Sequence, residues 1–301
     1  MKKFLPLLLI IVSCTSSEPV LLSEQEYLDF GKQIQKALKS GQPKKITRLY
    51  NLTKTYEELE FQVDSLKLKS SVTSAKWKSY KTELNKAFAR YIESLSDLAK
   101  NNGTVEISKF YIKDAKPHLV FSVQSENNGM DFTDFELLTQ GDQTFITDYT
   151  SYNTGIQFSE SFIWNALNKL EYGWMGGEYM DALSELKNAH VYLQRQQPDR
   201  AWVAINRIPE YFQSQSNFQV VKVSIASQLS DSLYVNSLYD WIGYNYYQEG
   251  FRHLKACQYY FYFGDTASAK LHVDSLEMVA GKSVLTAKFK ESLTKSAGNI
   301  N

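Results

Sequence analysis

The spacing of apolar residues predicts that the chain opens with helices. Tyr27, Phe30 and Ile34 recur at intervals of three and four residues, which places them along one face of a helix. Apolar residues from Ile46 to Tyr50 then begin a second, shorter helix, and the same spacing over residues 75–100 predicts a third, longer one. Residues 57–74, between the second and the third, follow no clear period.

The apolar pattern changes after residue 103 to that of short strands. Four segments rich in β-branched and aromatic residues are separated by turn residues, and they span 105–112, 119–123, 132–138 and 145–152. Because helices precede these strands and none lies between them, we expect an antiparallel sheet covered by helices on one face, an α+β arrangement. This order is similar to the cystatin-like and nuclear-transport-factor-like folds.

From residue 159 onward the pattern is helical, and it contains a weak internal repeat. Asp199, Asp231 and Asp265 each follow a probable helix and open another, and they are separated by 32 and 34 residues. This period resembles that of the tetratricopeptide repeat, a pair of antiparallel helices. The resemblance implies a stack of helical hairpins over roughly residues 160–281.

The third unit carries the resemblance best, because Cys257 and Ala269 fall where two helices of such a repeat cross and need small residues. The first two units match poorly. Repeats of this kind bind peptides in a concave groove, so the resemblance implies a binding groove in the third unit. The positions that match the groove of the repeat are Phe251, Leu254, Gln258, Phe261 and Tyr262.

The first fourteen residues have the pattern of an export signal. Lys2 and Lys3 precede an uncharged apolar run that ends at Ser13 and Cys14. The run is too short to span a bilayer, which needs about 20 apolar residues. Residues 11–14 resemble the lipobox of bacterial lipoproteins, which implies removal of residues 1–13 and acylation of Cys14. A buried core strand is the alternative.

These patterns divide the chain into five parts. We expect a signal peptide, a lipid-anchored linker, an α+β domain, a tetratricopeptide-like helical domain and a short tail. In that order, the predicted parts are residues 1–13, 14–24, 25–157, 158–295 and 296–301.

Charge and reactive residues exclude some classes of function. The chain has 33 basic and 33 acidic residues with no concentrated basic patch, so nucleic-acid binding is not expected. The four histidines are scattered, without the spacing of a metal site. We therefore expect no catalytic residues, no metal and no cofactor. One alternative is a pocket near Asp148, Tyr149 and Tyr152, at the end of the last strand.

The sequence thus predicts a lipoprotein of the cell envelope, anchored by Cys14, with its folded part outside the cytoplasm. Its expected role is to bind or scaffold a protein or peptide, without catalysis. Two alternatives stay open. One is a glycan-binding lipoprotein of a nutrient-uptake system, and the other is a small hydrolase or isomerase that uses a pocket of the α+β domain.

Overall fold

The computed structural model describes residues 21–66, 72–100, 103–125, 130–170 and 176–298. The predicted signal peptide and Cys14 lie outside these residues. The described chain has a mixed fold of helices and one antiparallel sheet. Its helices are α1 (Glu24–Lys39), α2 (Pro43–Thr47), α3 (Thr53–Ser65), α4 (Ser74–Ala99), α5 (Phe158–Leu170), α6 (Gly176–Gln194), α7 (Pro198–Asn206), α8 (Glu210–Gln213), α9 (Ser216–Leu229), α10 (Asp231–Tyr244), α11 (Glu249–Tyr262), α12 (Thr266–Ala280) and α13 (Val284–Gly298). Its strands are β1 (Thr104–Lys113), β2 (Lys116–Gln124), β3 (Met130–Gln140), β4 (Gln143–Ser151) and β5 (Ile156–Gln157).

The strands form a meander in the order β1-β2-β3-β4-β5, so each strand pairs with its neighbour in sequence. Asp114 and Ala115 join β1 to β2 with φ angles of 50° and 60°, as a tight hairpin turn requires. Gly141, with φ 58°, begins the turn from β3 to β4. The sheet contains the four predicted strands and a fifth, β5, which is only two residues long.

One face of the sheet packs against α1, α4 and α5. The apolar residues of these helices and of the sheet form one large cluster, which includes Tyr27, Phe88, Phe121 and Phe135. Phe158 at the start of α5 belongs to the same cluster, as do the other buried residues of that helix. The helix α5, which follows the predicted boundary after residue 157, therefore shares its core with the sheet.

The helices that follow α5 pack mainly as antiparallel neighbours. The most extensive contacts join α6 to α7, α9 to α10 and α11 to α12. In the last of these hairpins Ala269 is fully buried against Cys257 and Val273, as its small size allows. Asp265 caps α12, whereas the cap of α10 is Ser230 and not Asp231.

The second face of the sheet is also partly covered, contrary to the expectation that only one face would be. Val120, Phe132 and Tyr152 point from this face into a second cluster with residues of the last three helices. Those helical residues include Leu254 of α11 and Leu276 of α12. The sheet is thus the middle layer between the N-terminal helices and the C-terminal hairpin, and we call the contact with the hairpin the junction.

Glycine makes this close contact possible at three places. A Cβ atom on Gly250 would lie 2.3 Å from the ring of Tyr152, and one on Gly155 would lie 2.9 Å from the ring of Phe251. A Cβ atom on Gly281, where φ is 86°, would lie 1.9 Å from the carbonyl oxygen of Ser108. The helices could not approach the sheet this closely with any larger residue.

Replacement of Gly250 by alanine should therefore destabilise the protein. Overpacking against the Tyr152 ring costs about 1–3 kcal/mol in buried contacts of this kind. We expect a lower denaturation midpoint in a chemical unfolding experiment.

Gly243 is the matched control, because it lies in α10 and a Cβ atom there meets nothing within 4 Å. Gly243→Ala should raise the stability by roughly 0.5–1 kcal/mol through helix propensity alone. Equal effects of the two substitutions would contradict the tight packing at Gly250.

Candidate functional site

The structure divides the five predicted groove residues into two groups. Phe251 and Leu254 are fully buried, the first against Trp241 and the second in the junction cluster. They hold the hairpin to the rest of the protein, and Phe251 also borders a cavity beside α11. Gln258 is half-buried, while Phe261 and Tyr262 are 43% and 41% exposed.

The exposed residues belong to a surface of aromatic rings on α10 and the end of α11. Each ring lies within about 6 Å of the next, between centroids: Tyr234 with Tyr262, Tyr262 with Phe263, Phe263 with Tyr259, and Tyr259 with Tyr239. We call these five residues the aromatic strip. Phe261 is exposed beside them.

The aromatic strip has the composition of a protein-binding surface. Tyr239, Tyr262 and Phe263 each expose more than a third of their surface. Soluble proteins rarely leave large contiguous apolar areas open, and tyrosine is enriched among the residues that contribute most to binding. Tyr262 also donates a hydrogen bond to Asp231, which raises the pKa of its hydroxyl. That bond holds one ring of the strip in place.

A second candidate site lies on the part of the sheet that the hairpin leaves open. A cavity of about 220 Å³ crosses β1 to β4, and it adjoins larger cavities of about 750 Å³ beside α11 and about 360 Å³ beside α3. Gln157 lines all three. We call the three together the sheet groove, and its floor is polar, with Lys116, His118, Asp134 and Glu136.

The charges on the floor of the groove largely neutralise one another. Glu136 accepts hydrogen bonds from Lys54 and from Lys116, the latter at 2.9 Å. Burial raises the pKa of Glu136, but the two lysines outweigh it and hold the pKa below its usual value. Asp134 lies 3.1 Å from Nδ1 of His118 and accepts a hydrogen bond from Tyr111. The groove therefore has no strong preference for ligands of one sign.

The side chain of Asp148, the centre of the predicted pocket, binds backbone amides at the end of β4 and the start of α5. It accepts hydrogen bonds from the amide nitrogens of Tyr149 at 2.8 Å and Ser159 at 3.0 Å, and from Gln157 at 3.0 Å. Burial raises its pKa, and these hydrogen bonds oppose the rise. Asp148 and Tyr149 line the cavity of about 220 Å³ and Tyr152 lines the one of about 750 Å³, so all three predicted residues border the sheet groove, although the rings of Tyr149 and Tyr152 are buried on opposite faces of the sheet.

Two histidine contacts were missed by the sequence analysis. His118 pairs with Asp134 across two strands, and Nδ1 of His253 lies 3.0 Å from Nδ1 of His272, between α11 and α12. Burial lowers the pKa of His253 to about 4. No group of three or more metal-ligating side chains occurs among the described residues. Cys257 is buried, which raises its pKa to about 12.

Comparisons with models of protein families, with curated proteins and with solved structures found no match. Among the residues that the structure describes, none of the helices has the length and apolar character needed to cross a membrane.

The junction contains a buried charged pair that is bridged by one residue, Asn153, through its backbone amide and its side chain. Asp131 accepts a hydrogen bond from the amide nitrogen of Asn153 at 3.0 Å, and Lys255 donates to Oδ1 of Asn153 at 2.7 Å. Lys255 also lies 4.9 Å from the ring centre of Trp241. Burial raises the pKa of Asp131 to about 6 and lowers that of Lys255 to about 8.

This pair should make stability depend on pH. Because the pKa of Lys255 falls from 10.5 to about 8 on folding, the unfolded chain binds more protons between these values. The contribution of Lys255 to stability should therefore rise with pH between about 8 and 10.5, by no more than roughly 3 kcal/mol. Lys255→Met should lack this rise when unfolding is measured at several pH values.

The exposed lysine of α12, Lys270, provides the control. Lys270→Met should keep the wild-type pH dependence, because Lys255 and its buried surroundings are unchanged in this variant. An identical pH dependence in wild type and Lys255→Met would show that Lys255 is not held in this way.

Proposed function

We propose that the protein is a lipid-anchored lipoprotein of the cell envelope that binds or scaffolds a protein or peptide partner. The observation that carries this proposal is the aromatic strip. It leaves several aromatic rings open to solvent, at the end of a hairpin where Phe261 and Tyr262 were expected to contact a partner. Its proposed role is binding, without catalysis.

The anchor in this proposal is Cys14, which ends the export pattern at the N-terminus. The first described helix is capped by Ser23, and the residues that follow Cys14 in the chain, Thr15, Ser16, Ser17, Glu18 and Pro19, are small, polar or helix-breaking and would link the lipid to the folded part. Multiple acyl chains hold a protein firmly, since each buried methylene contributes about 0.8 kcal/mol.

We further propose that the last hairpins are tetratricopeptide-like. The support comes from α11 and α12, where Ala269 is fully buried at the position that the repeat assigns to the helix crossing and Val273 at a further core position. Tyr260 stacks on His272 at 5.3 Å between the same two helices. The binding surface, however, is the aromatic strip on α10 and α11, because Phe251 and Leu254 are occupied within the protein.

One observation favours an enzyme as a second candidate function. His118 and Asp134 face the polar cavity of the sheet groove in a hydrogen-bonded arrangement that a general base can use. The described lining of that cavity includes no serine or cysteine nucleophile. A hydrolase or isomerase of this type would lose activity on a substrate panel in His118→Ala.

The anchor can be tested by mass spectrometry of the protein made in a bacterial host. We expect wild type to begin at Cys14 with an acyl adduct and to sediment with membranes. Cys14→Ser should keep residues 1–13 and lose the adduct. Cys257→Ser is the matched control and should behave like wild type, because that thiol is buried in the hairpin. Wild type that still carries Met1 without an adduct would refute the anchor.

The binding surface can be tested by crosslinking and affinity capture from envelopes. Phe261→Ala with Tyr262→Ala should weaken recovery of a specific partner by about thirtyfold or more, the loss expected when residues that dominate an interface are removed. The thermal midpoint should change little, because both side chains lie at the surface and neither belongs to a buried cluster.

Phe61→Ala is the control, because Phe61 of α3 is even more exposed, at 69%, and lies outside the strip. It should leave recovery unchanged. Equal recovery with all three proteins would exclude the aromatic strip as the binding surface, and equal loss would indicate nonspecific adhesion of exposed rings.

A further inference from the structure

A third concave site lies where both halves of the protein meet. It is a pocket of about 290 Å³, formed by the segment that leads from β5 into α5, the turn between α8 and α9, and the turn between α10 and α11. It shares Gln157 and Gln248 with the sheet groove but contains no residue of the aromatic strip. Its chemistry is therefore independent of the proposed partner-binding surface.

The lining of this pocket is rich in groups that both donate and accept hydrogen bonds. Serine hydroxyls line it together with the indole of Trp164. The side-chain amides that line it are Gln157, Gln215, Asn217, Asn245 and Gln248. An amide presents two donors and an acceptor, and a hydroxyl presents both kinds of group. Such a surface complements a ligand that carries several hydroxyl groups and an apolar face to contact an aromatic ring.

The charged residues of the lining restrict the class of ligand further. Its described lining includes one carboxylate, that of Glu160, and no lysine, arginine or histidine. An anionic ligand such as a phosphate or a carboxylate would meet no positive partner there and would lie near a negative one. The pocket therefore favours a neutral ligand over an acidic one.

One acceptor in the pocket is buried without a partner. Oε1 of Gln248 is inaccessible to solvent and receives no hydrogen bond from the described residues. A buried polar atom without a hydrogen bond lowers the free energy of unfolding by about 1–3 kcal/mol. A rotation of the side-chain amide that turned this oxygen into the pocket would let a ligand hydroxyl donate to it and would remove the penalty.

The three segments are fixed in position by hydrogen bonds between them. The hydroxyl of Ser216 lies 2.7 Å from Oδ1 of Asn245 and 3.3 Å from the carbonyl oxygen of Gly155. These contacts join the α8–α9 turn to the α10–α11 turn and to the segment before α5. The pocket is therefore formed before a ligand arrives, which lowers the entropic cost of binding.

We propose that this pocket binds a neutral polyhydroxylated ligand of one or two sugar rings. Its volume is at the low end of the range for small-molecule sites, about 300–1,000 Å³, which suits a monosaccharide or a disaccharide. Trp164 supplies the aromatic contact, and the amides of Asn217 and Gln248 supply hydrogen bonds.

The test is titration of the purified protein with neutral sugars, followed by ligand-observed NMR and tryptophan fluorescence. The probes are glucose, galactose, mannose, N-acetylglucosamine and two disaccharides of glucose, with glucuronate and glucose 6-phosphate as acidic counterparts. We expect saturable binding of at least one neutral sugar. The acidic counterparts should bind at least about tenfold more weakly, a difference of about 1.4 kcal/mol.

Two variants connect the binding to this pocket. Gln248→Leu and Asn217→Leu should each weaken the binding of that sugar by about tenfold or more, as the loss of one hydrogen bond predicts. Gln248→Leu should not lower the thermal midpoint, because the oxygen that it removes has no partner. If Gln248→Leu does lower the thermal midpoint, the sugar affinity of Asn217→Leu decides whether the proposal stands.

Two controls separate this site from the aromatic strip. Asn188→Leu changes an exposed amide of α6 outside the pocket and should bind like wild type. Phe261→Ala with Tyr262→Ala should also retain sugar binding, so the two proposals fail independently. The proposal is overturned if no neutral sugar saturates the protein, if the acidic counterparts bind equally well, or if both pocket variants bind like wild type.

Discussion

The structure depends on the packing of one helical hairpin against the second face of the sheet. Gly250 brings α11 into contact with the ring of Tyr152, and no larger residue would allow this approach. Next to this contact, Lys255 and Asp131 are buried and joined through Asn153. A buried charged pair contributes little net stability, but breaking it leaves an uncompensated charge. The pair therefore determines the position of the hairpin on the sheet more than it contributes to the free energy of unfolding.

Much of the fold was predictable, because the apolar pattern reports which face of each element is buried. The alternation of β1 is interrupted: Val105 and Ile107 are followed by Phe110, three positions later. The structure explains the interruption by a bulge at Ser108, which lets all three side chains face the same core. The pattern thus contained both the strand and its irregularity. The helix α3 was not predicted, since its apolar stripe is short and it begins without a side-chain cap.

The contacts between distant segments could not be predicted from periodicity. His118 and Asp134 are each unremarkable in the sequence and meet only because β2 and β3 pair in one particular register. The burial of Phe251 and Leu254 has a similar cause. A repeat pattern assigns positions within its own helices, whereas these two residues are covered by the sheet and by α10. In both cases the contact depends on how separate elements pack together, which the spacing of residues along the chain does not report.

The two proposed binding surfaces depend on the junction to different degrees. The aromatic strip is built from α10 and α11 alone, so its ring contacts need only the packing of those two helices. The amide-lined pocket needs segments from both halves, and Ser216 connects them through Asn245 and Gly155. Because Gly155 also lies against Phe251 of the hairpin, a shift of the hairpin on the sheet would alter the pocket and leave the strip intact. Occupation of the pocket would then stabilise the junction, since a ligand that binds only the assembled form favours that form.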